Sequence, residues 1–381
     1  MNVGVNILIG CLMVQIISSC VRNDTGEVKI AWQQIDLPKD RYGQPHAGLA
    51  GPIVGVTGPY VWVGGGANFP DKKPWEGGQK QYHDALYLYH WDGSLLTYQK
   101  TCQLPLSIAY AACCSDGGKI YVAGGENDQG LLADVYAFRI GADLKPLVDT
   151  LPSLPEEITN ASLTYVNDIL YLIGGDTKLY TSDRIFKLEL NGKKQWELAG
   201  LLPQKLSHTV SLRSGDNIYI IGGRYRVAGK KSPFSNQVYL FNTKNGMLSN
   251  LQDLPEPIAA AVGIPYKKGI LLLGGDNGQT YHQVEDLILQ ASAEREELKQ
   301  DHIIQRKNLV QVNHPGFSNH QLIYHQEQNR WERLRMDFPY KMPVTTTAIA
   351  LDSNFIVIPS GEVRAGVRTD KISIGEIKVV N

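Results

Sequence analysis

Five apolar runs in this chain close on a glycine pair: Trp62-Val-Gly-Gly65, Val122-Ala-Gly-Gly125, Leu172-Ile-Gly-Gly175, Ile220-Ile-Gly-Gly223 and Leu272-Leu-Gly-Gly275. Ile358-Pro-Ser-Gly361 is a degraded sixth copy. After each one, a polar residue opens a strand of period two, as in Asp84-Ala-Leu-Tyr-Leu-Tyr89 and Asp370-Lys-Ile-Ser-Ile374. Strands then end on Leu-Pro, at Leu37-Pro38, Leu104-Pro105, Leu154-Pro155, Leu202-Pro203 and Leu254-Pro255, with Phe338-Pro339 as a looser copy. Between these marks lie short strands of small residues, such as Ile108-Ala-Tyr-Ala-Ala112 and Thr345-Thr-Thr-Ala348, suited to crowding round a narrow axis. The pattern predicts six four-stranded units.

A repeat of about 50 residues with this glycine signature resembles the kelch β-propeller. The expected fold is all-β, a single six-bladed propeller over residues 28–381. The first Leu-Pro strand precedes any glycine pair, and the last glycine unit has no Leu-Pro strand after it. The N-terminal strand, Ile30 to Leu37, is therefore expected to complete the sixth blade and close the ring. One unit is longer than the rest, and its charged, helix-permissive stretch predicts a helical insertion at about 284–312.

Composition supports many short strands and tight turns, with 38 glycines and 19 tyrosines in 381 residues. The net charge of −1 offers no basic stripe for a nucleic-acid backbone. Residues 1–20 read as an export signal: Val5 to Ser19 is mostly apolar, and Cys20 follows Ile17-Ser-Ser. That ending resembles a bacterial lipobox, which implies a lipid on Cys20 and membrane attachment, in the periplasm or at the outer membrane. Cys102, Cys113 and Cys114 lack the spacing of a disulfide framework or a zinc site and read as small buried side chains.

Candidate chemistry lies just past the glycine pairs. Equivalent residues of the units fall on one circle, and those after the pairs are Gly66, Glu126, Asp176, Arg224, Asp276 and Glu362. Five of the six are charged, in a chain where 20% of residues are. Carboxylates there can also serve as loop ties. Glu362, Arg364 and Arg368 form the densest group: one carboxylate to move a proton and two guanidiniums to hold an anion. His208, Asn160 and Tyr110 open inner strands on the same face.

Two motifs make the resemblance more specific. Gly64-Gly-Gly-Ala-Asn-Phe-Pro70 and Gly361-Glu-Val-Arg-Ala-Gly-Val-Arg-Thr369 resemble segments of the bacterial N-acetylneuraminate epimerases, the sialic acid mutarotases, here in permuted order. The resemblance implies that Glu362 is the catalytic base and that Arg368 binds substrate, with Arg364 where the family has lysine. It implies interconversion of the α and β anomers of sialic acid, a small acidic sugar, without metal or organic cofactor. Arg224, Asn68, His208 and Glu126 are the further candidate substrate contacts. The alternative is a non-catalytic kelch module that binds glycan or protein. The Asp-box turns of a sialidase and the Cys–Tyr and histidine set of a copper radical oxidase are not evident.

Overall fold

The computed structural model describes residues 27–380 apart from 41–42, 193–194, 268, 346 and 353, so the stretch 1–20 expected to be an export signal, with Cys20, lies outside the described residues. The second strand of each unit is built on an apolar run because both faces of its sheet are covered there. In Tyr60–Gly64, Val61, Trp62 and Val63 are all fully buried. Val61 and Val63 point into one interblade core, and Trp62 points into the next. The outer strand Leu96–Gln103 is instead mostly exposed, with only Leu96 and Cys102 buried. Six buried clusters result among the described residues, one between each pair of neighbouring blades.

The sheets form a six-bladed β-propeller of four-stranded antiparallel meanders. Blade 1 begins at Ile53–Thr57, blade 2 at Ala112–Ser115, blade 3 at Ser162–Val166, blade 4 at Val210–Ser214, blade 5 at Val262–Tyr266 and blade 6 at Ile349–Leu351. Ring closure follows the expectation. The N-terminal strand Glu27–Asp36 pairs with Val367–Val380, from Glu27 opposite Val380 to Asp36 opposite Lys371. The two ends of the chain therefore lock the sixth blade together. The inner strands surround an axial cavity of 430 Å³ lined by small and apolar residues such as Val54, Ala112, Thr164 and Ser211.

Two helices, α1 (Gln279–Ala293) and α2 (Glu297–Val312), fill the long connection of blade 5. The helical segment begins before the charged stretch at 284. The Glu285 carboxylate accepts from the Ser232 amide at 2.9 Å and its hydroxyl at 2.6 Å, which fastens α1 to a loop of blade 4. At the other end, Arg364 Nη1 of blade 6 donates to the Val312 carbonyl at 2.9 Å. Among the described residues, no helix is long and apolar enough to cross a membrane.

Candidate active site

Each blade carries the same small device where its second strand ends. Two residues turn the chain through the left-handed region, and the next forms an isolated bridge to the residue before an inner strand. These bridges are Ala50–Ala67, Ala109–Glu126, Thr159–Asp176, Ser207–Arg224, Ala259–Asp276 and Val344–Glu362. The residues after the turns thus form a ring of six equivalent positions. The first blade corrects the count made on glycines. Gly65 and Gly66 (φ 59° and 79°) hold the geometry that Gly124 and Gly125 (64° and 101°) hold in blade 2, so Ala67, not Gly66, is the ring residue. Gly64 belongs to the ladder, where a Cβ would stand 2.3 Å from the Ala85 carbonyl oxygen.

A second ring lies beside the first. Tyr110, Asn160, His208 and Ala260 have φ of 53–56°, a conformation L residues seldom take. A chain of amides holds them there. Tyr110 N donates to Gly51 O (2.9 Å), Asn160 N to Tyr110 O (3.0 Å), His208 N to Asn160 O (2.9 Å) and Ala260 N to His208 O (2.8 Å). Blade-to-blade bonding is what keeps these strained residues in place.

Blade 6 departs from its siblings. Its turn uses Ser360 (φ 57°) where the others have glycine, and the Ser360 hydroxyl accepts from Leu49 N at 2.9 Å and donates to Thr369 O at 2.5 Å. The ladder then runs on past the ring, through a register shift between Pro359 and Gly361, so that Glu362 sits directly across the hairpin from Arg368. Arg368 Nη1 lies 3.5 Å from Glu362 Oε1, and the Arg368 side chain is only 4% exposed. Its guanidinium rests 4.8 Å from the centre of the Phe69 ring. Glu362 Oε1 also accepts from Gly366 N, at the hairpin tip. A Cβ on Gly366 would stand 2.9 Å from Pro74 and Trp75, so the blade 1 loop closes over this tip. Among the described residues, Arg368 Nε and Nη1 are buried without a hydrogen-bond acceptor. Donors left so are costly unless an acceptor arrives.

The other candidates group round this pair to different degrees. Asn68 donates to Gly48 O at 2.8 Å, and a Cβ on Gly48 would clash with Arg368 Cβ at 2.6 Å, so Asn68 braces the wall behind the arginine. His46 Nδ1 accepts from Gly48 N at 3.0 Å; burial, then His83, lowers its pKa to about 4, which keeps it neutral for that bond. Burial pushes the Tyr110 hydroxyl up, and the Arg368 guanidinium opposes that rise. Glu126 accepts from Lys80 at 3.0 Å and from the Tyr82 hydroxyl at 2.8 Å. Arg224 lies 3.5 Å from His208 Nε2 and 4.9 Å from the ring of Tyr281 on α1, with Nη1 buried and lacking a described acceptor. Burial and Arg224 drive the His208 pKa down. Arg364 is engaged on α2 instead of facing Glu362. Nothing in the sequence singles out Lys80, Phe69 or Tyr281: Phe69 and Lys80 belong to the blade 1 motif loop and its continuation, and a lone aromatic or lysine there carries no pattern. Among the described residues no cluster of His, Cys, Asp and Glu is suited to hold a metal ion.

The six four-stranded blades define a kelch-type propeller, and a kelch motif matches residues 108–141. The family model described as N-acetylneuraminate epimerase matches residues 151–380, more than half of the chain, and the chain belongs to that family. It is 24% identical over 229 residues to the N-acetylneuraminate epimerase of Pasteurella multocida, covering 59% of this chain and 58% of that protein. The corresponding protein of Yersinia enterocolitica is 33% identical over 114 residues, 28% of this chain and 29% of its own. Beta-scruin of Limulus polyphemus is 23% identical over 201 residues, half of this chain and 21% of its own. The matches thus span less than two thirds of these relatives.

Proposed function

We propose that the protein is a mutarotase that interconverts the α and β anomers of N-acetylneuraminate. One observation carries this reading: a buried guanidinium with two donors lacking an acceptor, set directly across a hairpin from a carboxylate. Sialic acid bears a carboxylate on its anomeric carbon. Arg368 would take that carboxylate through its planar fork, and the neighbouring Glu362 would then lie against the anomeric hydroxyl. Arg224, beyond Asp276 on the ring, would hold a second part of the sugar, with His208, Asn68 and Glu126 shaping the wall. Glu362 removes the hydroxyl proton as the ring opens and returns it as the ring closes on the other face.

The test is proton NMR of freshly released α-N-acetylneuraminate, with the purified protein and with Glu362→Gln. The expected outcome is faster equilibration to the β anomer by the wild type, lost in the variant. Equal acceleration by both removes Glu362 from its role. No acceleration by the wild type favours a binding module.

A further inference from the structure

Ring opening needs two proton transfers, and Glu362 accounts for one. The sugar ring oxygen must gain a proton as its bond to the anomeric carbon breaks. Three other carboxylates share the ring with Glu362, and their contacts sort them. Glu126 is tied to Lys80 and Tyr82. Asp176 accepts from the Thr181 hydroxyl at 2.6 Å and from Arg226 Nε at 3.2 Å, and is 6% exposed. Both are spent on loops. Asp276 differs: it occupies the ring position of blade 5, next to Glu362 of blade 6, and its Oδ1 accepts from the amide of Gly278 at 2.8 Å.

We infer that Asp276 is the proton donor to the ring oxygen, acting beside Glu362 on the adjoining blade. This rests on the mutarotase reading. The charges that act on Asp276 are those of Arg224 from blade 4, His282 from α1 and Glu362 from blade 6, and the amide of Gly278 donates to it. Burial raises its carboxyl, Glu362 adds to the rise, and the Gly278 amide, Arg224 and His282 oppose it. The net direction is upward, towards the protonated form an acid catalyst needs. Glu362 lies across the hairpin from the Arg368 guanidinium, 3.5 Å away.

The step balances. Glu362 takes the anomeric hydroxyl proton, the electron pair left behind forms the carbonyl, the ring carbon–oxygen bond breaks, and its oxygen takes the Asp276 proton. Reclosure on the other face runs both transfers backwards, and no proton is gained or lost.

The experiment measures α-to-β equilibration by proton NMR against pH, for the wild type, Asp276→Asn and Asp276→Glu, with thermal melting of each. The acid works while protonated, so the wild-type rate falls as pH rises through its pKa. The expected result is a loss of about a hundredfold in Asp276→Asn together with that alkaline fall, while Asp276→Glu keeps the fall. A folded Asp276→Asn protein at the wild-type rate, or slower with the same alkaline fall, overturns the assignment and leaves the mutarotase reading standing. A wild type that does not accelerate equilibration overturns both.

Discussion

Asp176 in blade 3 and Glu362 in blade 6 occupy the same place on the ring, one residue past the same left-handed turn. Their surroundings are opposite. Burial works against the Asp176 charge, but His208, the Thr181 hydroxyl, Arg224 and Arg226 together hold its pKa below the usual carboxylate value. Glu362 is 25% exposed and sits beside an arginine whose donors are not used up. The backbone device is a scaffold; what differs is whether the neighbours satisfy the side chain or leave it something to do. A satisfied carboxylate ties two blades together. One next to unsatisfied donors is available to a ligand.

The largest effect expected from breaking this contrast is at Glu362. Glu362→Gln is expected to slow equilibration by about a hundredfold to ten-thousandfold, the range for a lost general base, in a protein that thermal melting shows to be folded. Next is Arg368→Lys, which keeps the charge and loses the fork. Substrate affinity is expected to fall about ten- to a hundredfold, read as a rise in KM greater than any fall in kcat.

Asp176→Asn is expected to do the reverse of Glu362→Gln: a stability loss of about 1–3 kcal/mol by urea unfolding, with the kinetics of the folded protein changed only a few-fold. Because the Asp176 pKa is depressed in the folded state, its contribution is present at neutral pH and disappears as pH falls through the folded value. The variant should therefore lose less stability on acidification than the wild type. The smallest effect is at Ser360. Ser360→Ala leaves the buried Leu49 amide without its acceptor and is expected to cost about 1 kcal/mol, read in the same unfolding assay.

Much of the scaffold is legible in the order of residues. Apolar runs ending in glycine pairs, period-two strands and the early Leu-Pro mark set the number of blades and the closing strand, since each follows from local backbone and burial demands. Counting glycines fails only in blade 1, where a third glycine shifts the ring residue to Ala67. The Glu362–Arg368 pair is also legible, because a short hairpin brings them together within one segment.

What depends on distant segments is not legible in this way. Arg364, two residues from Glu362, is drawn to the end of α2, 52 positions away in the chain. Phe69 meets blade 6 only because the ring closes, and Lys80 meets blade 2 only because neighbouring blades pack side by side. The difference between Asp176, Glu126 and Asp276 is invisible in a row of carboxylates. Period and turn chemistry specify the repeat, the strands and the ring on which charged residues stand, because those demands are local to each unit. Which of these charges are satisfied and which are left open is settled only in the assembled ring, because hydrogen-bond partners and burial come from neighbouring blades.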